Sequence, residues 1–271
     1  MGFRPTLTLL DSVDKLACEA AKEIQRYYGA VKTDWKSDGS PVTEADQASE
    51  AIILAGLAKL TPDIPIVAEE SVAAGNVPDI KDGLFWLVDP LDGTREFLRN
   101  DGRGEFTVNI ALLIDGQPIL GTIVAPALNT AYGGLCGEGS YCRRGDGPNA
   151  AIKVRQSASS GLTVVSSRSH GNDATLEAFL KPVKIRDQRR IGSSLKLCLL
   201  AAGEADLYPR LSPTMEWDIA AGQAILSAAG GRIETLDGQP LTYAKRGFRN
   251  PHFVAYGHCP SVKHGAEPTL G

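Results

Sequence analysis

Apolar residues recur at helical spacing near the start of the chain, at Leu10, Val13, Ala17, Ala20, Ile24 and Tyr27. They predict an amphipathic helix over Leu9–Tyr28, stopped at Gly29. The segment from Lys36 to Pro41 is turn-rich, and a second helix is expected from about Thr43 to Leu60, ended by Pro62 and Pro65. Ile66-Val-Ala68 reads as a short buried strand that delivers Glu69 and Glu70 at its end, and Leu84-Phe-Trp-Leu-Val88 as another that delivers Asp89. From Phe106 to Ile114 apolar residues fall at every second position. Asp115-Gly116 then turns the chain and Pro118–Val124 returns, which is a hairpin signature.

Cys136–Asn149 is rich in glycine and charge and is the best candidate for a boundary, dividing the chain into residues 1–150 and 151–271. Beyond it, strands are expected at Leu162–Ser166, near Val183–Arg186, at Leu207-Tyr208, near Arg232–Leu236 and at Phe253–Tyr256. Helices are expected near Ala174–Leu180, from Ser193 to Gly203 and from Asp218 to Ala229. The first part therefore reads as α+β and the second, where strands and helices alternate, as α/β. No internal repeat or low-complexity segment is visible.

Composition narrows the field. A 271-residue chain that is 43% hydrophobic and 22% charged can bury a core and is not of the disordered class. Its formal net charge of −4 argues against a surface that coats nucleic acid. The five cysteines are scattered, with no CxxC pair and no histidine at zinc-ligand spacing, so reduced thiols in the cytoplasm are expected. No signal peptide is visible, and no stretch reaches the roughly 20 apolar residues that span a bilayer.

Three motifs carry chemistry. In Asp89-Pro-Leu-Asp92-Gly-Thr94 a strand ends in an acid and a second acid follows across a proline turn. Two carboxylates there suit a hard divalent cation, and the Leu91 carbonyl can add a ligand. The Gly93 and Thr94 amides, at a helix start, suit a phosphate. An Asp-rich turn with helix capping is the ordinary alternative. Glu69-Glu70 repel each other unless solvated or bound to cations. Asp218, in Trp217-Asp-Ile-Ala-Ala-Gly222, is an acid at a helix start and can equally be an N-cap. Asp46 has its own local role, since Thr43-x-x-Asp46 is a capping box.

These motifs, with Pro41-Val-Thr-Glu-Ala-Asp46, occur in the order found in the inositol monophosphatase superfamily of magnesium-dependent, lithium-sensitive phosphatases. The chain resembles that superfamily over nearly its whole length. Within it, Glu105-Phe-Thr-Val-Asn-Ile-Ala-Leu112, Ser167-Arg-Ser-His170 and Ile191-Gly-Ser-Ser-Leu-Lys196 are most similar to the bacterial 3′(2′),5′-bisphosphate nucleotidases. The resemblance implies a layered α-β-α-β-α sandwich of the inositol monophosphatase and fructose-1,6-bisphosphatase type. It implies hydrolysis of the 3′-phosphate of adenosine 3′,5′-bisphosphate, or its sulfated relative, to leave AMP, with a place in sulfur assimilation.

The resemblance also implies a site. Glu69, Asp89 and the Leu91 carbonyl would hold one Mg²⁺, and Asp89, Asp92 and Asp218 a second. Glu70 would act through water or a third ion. Thr94 would activate the attacking water, relayed to Asp46. Substrate would meet Gly93, Thr94, Ser167, His170, Ser194, Lys196 and Arg210, with Arg168 a further cationic candidate. Relatives include monomers and dimers, so a homodimer is open, as is peripheral attachment at the inner membrane. Ile219, Arg95 and a longer Asn100–Gly104 loop depart from the pattern without removing a ligand. Rivals are an inositol or sugar phosphatase on the same fold, a haloacid-dehalogenase-like phosphatase, whose motif is DxDGT rather than DxxDGT, and a non-catalytic metal- or nucleotide-binding regulator.

Overall fold

The computed structural model describes residues 2–29, 33–35, 41–169 and 173–262. Helix α1 (Leu7–Tyr27) is capped by the Thr6 side chain. A short antiparallel pair, β1 (Thr33–Trp35) and β2 (Pro41–Thr43), leads into α2 (Glu44–Leu60). Then follow β3 (Ile66–Ala68), α3 (Glu69–Ala73), β4 (Leu84–Asp92), α4 (Thr94–Arg99), β5 (Thr107–Ile114), β6 (Gln117–Ala125), β7 (Thr130–Leu135), β8 (Gly139–Arg144) and β9 (Ala150–Ile152). The remainder is β10 (Leu162–Ser167), α5 (Asp173–Leu180), β11 (Ile185–Ile191), α6 (Leu195–Ala201), β12 (Leu207–Arg210), α7 (Glu216–Ala228), β13 (Arg232–Thr235) and β14 (Phe253–Tyr256).

Strands β3 to β9 form a seven-stranded sheet in chain order, antiparallel except for β3 beside β4. The other five strands form a second sheet in the order β11-β10-β12-β14-β13. Period-two geometry sends successive side chains of a strand to opposite faces. In β4, Trp86 and Val88 join Leu10, Val13, Ile53 and Leu57 of α1 and α2. Phe85 and Leu87 face the other way, with Ile225 and Leu226 of α7 and Leu197 and Leu200 of α6. The second sheet repeats this: Val165, Tyr208 and Ala255 share that middle core, while Val164, Leu207 and Val254 pack with Leu180 of α5. The layers are therefore α1/α2, sheet, α6/α7, sheet, α5, which is the expected α-β-α-β-α sandwich. Burial on both faces explains why β4 and β5 read as apolar runs.

Cys136–Asn149, the candidate boundary stretch, contains β8, an internal strand of the first sheet, and the first sheet ends at Ile152 while the second begins at Leu162. The burial of β8 alternates, and its neighbour β7 is weakened as a strand signal by Gly133 and Gly134. Those glycines are structural: a Cβ at Gly133 would come 2.4 Å from the Tyr141 ring. The middle layer depends on the same economy. α7 lies so close to β6 that a Cβ at Gly121 would stand 2.4 Å from the Ala221 carbonyl oxygen. No helix of the described residues is long and apolar enough to cross a membrane, and all five cysteines are free.

Candidate metal and phosphate site

The site is built where strand ends meet helix starts. β3 ends at Ala68 and α3 begins at Glu69. The start of α3 is tied down by Glu50 of α2, whose buried carboxylate accepts the Glu70 amide at 2.8 Å, the Ser71 amide at 2.8 Å and the Ser71 hydroxyl at 2.6 Å. These bonds satisfy donors that a helix start otherwise leaves open.

β4 carries the next two acids. Residues three apart on a regular strand point to opposite faces. Here the pairing with β5 shifts between Asp89 (opposite Asn109) and Asp92 (opposite Thr107), so β4 holds one extra residue. That bulge re-aims the strand, and Asp89 and Asp92 both line one cavity. The turn is held by the Leu91 amide donating to Asp89 Oδ1 at 3.0 Å and the Ser49 hydroxyl donating to the Pro90 carbonyl at 2.8 Å. Gly93 then caps α4 at φ 88°, where a Cβ would sit 3.0 Å from the Glu105 carbonyl oxygen. Asp218, in the first turn of α7, arrives from the far end of the chain, and its carboxylate accepts the Met215 amide at 2.9 Å. It is both an N-terminal cap and a wall of the cavity.

Glu69, Asp89 and Asp218 each offer a carboxylate oxygen within 4.8 Å of the others. Three carboxylates this close repel one another when ionised. Burial pushes Asp89 well above the ordinary carboxylate range, and Glu69, Asp92 and Asp218 add to it. Burial does the same to Asp218, reinforced by Asp92 and Glu69. Asp92 is pushed up to about 6 by burial, against the opposing pull of Lys196. An all-oxygen donor set carrying uncompensated charge fits a hard divalent cation such as Mg²⁺.

The cavity encloses about 300 Å³. Among the expected site residues it is lined by Glu69, Asp89, Leu91, Asp92, Gly93, Thr94, Ser167, Ser194, Lys196, Arg210 and Asp218. Asp46 stands behind this wall. Its Oδ2 accepts the Thr43 amide at 2.8 Å and hydroxyl at 2.7 Å, which closes the capping box, and its Oδ1 lies 3.4 Å from the Thr94 hydroxyl. That hydroxyl also reaches the Leu91 carbonyl at 3.2 Å.

Three expectations are modified, and a fourth falls outside the described residues. Glu70 sits on α3 but is not among the residues lining the cavity. His170 lies outside the described residues. Ser194 lines the cavity, yet its hydroxyl is committed elsewhere, 2.8 Å from Thr107 Oγ1 and 2.8 Å from Asn109 Oδ1. Its backbone amide instead donates to Asp92. Arg168 is held by Glu105 through two bonds of 2.9 and 2.8 Å and faces a smaller neighbouring cavity of about 140 Å³.

Lys196 is buried, with Nζ donating to the Ile191 carbonyl at 3.2 Å and to the Ser193 carbonyl, and lying 5.3 Å from the Tyr208 ring centre. Burial and Arg210 lower its pKa to about 8, against Asp92 and Glu96. Two carbonyls use two of its three protons, leaving one for a ligand. Arg210 is likewise part-committed, to the Ser212 carbonyl at 3.2 Å and the Pro213 carbonyl at 2.8 Å. Glu50, Tyr208 and Arg249 belong to the site or its support and carry no local sequence signal.

The inositol monophosphatase family model matches residues 8–263. A 3′(2′),5′-bisphosphate nucleotidase CysQ of Escherichia coli O6:H1 is 45% identical over 249 residues, covering 90% of this chain and 98% of that protein. The CysQ of Aggregatibacter actinomycetemcomitans is 36% identical, covering 92% and 94%. Among solved structures, CysQ from Bacteroides thetaiotaomicron superposes with a TM-score of 0.77 at 33% identity, covering 93% of this chain and 98% of that one. An inositol monophosphatase from Anabaena gives 0.73 at 30%, covering 93% and 91%. With its carboxylates gathered at one cavity and this match along almost its full length, the chain belongs to the inositol monophosphatase family.

Proposed function

We propose that this chain is a 3′(2′),5′-bisphosphate nucleotidase that removes the 3′-phosphate of adenosine 3′,5′-bisphosphate, leaving AMP and phosphate. The observation that carries the chemistry is the triplet of half-buried Glu69, buried Asp89 and half-buried Asp218 facing a cavity that also holds Lys196 and Arg210. The relatives named CysQ support the substrate.

Glu69, Asp89 and the Leu91 carbonyl would hold one magnesium ion, and Asp89, Asp92 and Asp218 a second. Bound there, magnesium supplies Lewis acidity that lowers the pKa of water and neutralises the leaving alkoxide. The chain's own groups do the rest. Gly93 and Thr94 offer amides to the scissile phosphate. α4 is only six residues long, so these are local donors rather than the pole of a large helix dipole. The Thr94 hydroxyl takes up the attacking water's proton as it passes its own to Asp46 Oδ1. Asp46 can do this while capping α2, because the two tasks use different oxygens. The remaining Lys196 proton and the free side of the Arg210 guanidinium face the rest of the substrate.

The test is phosphate release with Mg²⁺ from adenosine 3′,5′-bisphosphate, inositol monophosphate and fructose 1,6-bisphosphate, with lithium and sodium compared as inhibitors. We expect the nucleotide to give the highest kcat/KM, and lithium to inhibit at concentrations where sodium does not. Equal kcat/KM for inositol monophosphate and the nucleotide overturns the substrate. Equal inhibition by both salts counts against the family's metal chemistry operating here.

A further inference from the structure

The segment 244–250, which contains a distorted 3-10 turn at Arg246–Phe248, is held against α7. Three of its residues adopt left-handed backbone: Ala244 (φ 67°), Gly247 (φ 76°) and Phe248 (φ 54°). For Ala244 and Phe248 that conformation is strained and persists only where surrounding contacts enforce it. The contacts are present. Glu216, fully buried beneath the segment, accepts the Ala244 amide at 2.8 Å and the Lys245 amide at 3.0 Å, and pairs with Lys245 Nζ at 2.6 Å. The Phe248 ring packs 5.8 Å from Trp217. The buried Asn250 side chain donates to the Met215 carbonyl at 2.8 Å and the Thr214 hydroxyl at 3.2 Å. Arg249 stands between these anchors, in an antiparallel bridge with Met215.

Arg249 is the one residue of this segment that lines the cavity. It is exposed, and no hydrogen bond or ion pair is found for its guanidinium among the described residues. The buried cations of the cavity are different, since Lys196 and Arg210 already donate to backbone carbonyls. Arg95 of α4 is a second exposed arginine at the cavity, but Arg249 is the one carried by a strained segment clamped on the helix of Asp218, which makes it a preorganised anion receptor. An arginine fork matches phosphate geometry with two parallel donors.

We propose that Arg249 is a specificity-determining residue that pairs with the substrate phosphate not held at the carboxylates. This rests on the nucleotidase reading above, in which the substrate carries two phosphates and only one is cleaved. Binding energy from the remote group then orients the ester that reacts.

The experiment compares wild type, Arg249→Ala and Arg249→Lys by calorimetric binding of AMP and of adenosine in Mg²⁺, and by kcat/KM for adenosine 3′,5′-bisphosphate and 3′-AMP. A charged hydrogen-bonded contact of this kind predicts that Arg249→Ala weakens AMP binding about tenfold and lowers the bisphosphate-to-monophosphate preference about tenfold. Adenosine affinity should stay as in wild type, and lysine should restore part of the loss. Melting temperatures equal to wild type confirm that the variants fold. If wild type binds AMP and Arg249→Ala binds it equally well, the Arg249 assignment falls while the nucleotidase reading stands. If wild type neither binds AMP nor prefers the bisphosphate, the nucleotidase reading falls and this proposal with it.

Discussion

Asp92 receives the Ser194 amide and the field of Lys196 on one side and faces Asp89 and Asp218 on the other. Neutralising it removes a proposed ligand and also relieves repulsion in the metal-free cluster. Asp92→Asn should therefore melt at or above the wild-type temperature without Mg²⁺, while Mg²⁺-dependent phosphate release falls about 100-fold or more. Melting curves with and without Mg²⁺ beside a turnover assay check both halves, and full activity would remove Asp92 from the metal site. At this scale the acids were legible, because DxxDGT, Glu69-Glu70 and Trp217-Asp218 are local patterns at element ends. The direction of the Ser194 hydroxyl was not, since its partners Thr107 and Asn109 are separated from it by 87 and 85 positions. Arg249 was equally silent, because nothing in a polar stretch reveals that its backbone is clamped.

Most elements near the site were legible, since both faces of β4 and β5 are buried and α2 carries its own capping box. The bulge in β4 was not, although it is what turns Asp89 and Asp92 to one cavity. β7 to β9 were missed because glycine and charge mimic a linker wherever a neighbouring ring or helix fills the space a side chain would take. α3 is the element most dependent on a distant residue. Glu50→Ala would leave the Glu70 and Ser71 amides and the Ser71 hydroxyl without their acceptor, at a cost of about 1–3 kcal/mol. Because α3 carries Glu69, turnover at limiting Mg²⁺ should fall with it, and Glu50→Gln should retain part of both. Denaturant titration and a Mg²⁺ dependence measure the two effects. Activity unchanged in Glu50→Ala would mean that β3 alone places Glu69.

Over the whole molecule, the middle layer joins the two sheets. Leu197, Leu200, Ile225 and Leu226 meet apolar residues of both, and α7 brings Asp218 to the acids of the first sheet. The closeness of α7 to β6 rests on Gly121. Gly121→Ala should push α7 outward, costing about 1–3 kcal/mol as an overpacked core does, and should raise the Mg²⁺ concentration needed for half-maximal activity. A variant with wild-type melting temperature and Mg²⁺ dependence would show that the helix can shift without moving Asp218. The same arrangement has a consequence for the order in which the protein is made. Glu69 and Asp89 leave the ribosome long before α7 exists, so a growing chain carries an incomplete set of the proposed ligands until its last long helix has docked. A stalled or clipped product ending at β9 would be inert towards phosphate esters rather than an unregulated hydrolase, and catalytic competence would appear only as the final step of assembly.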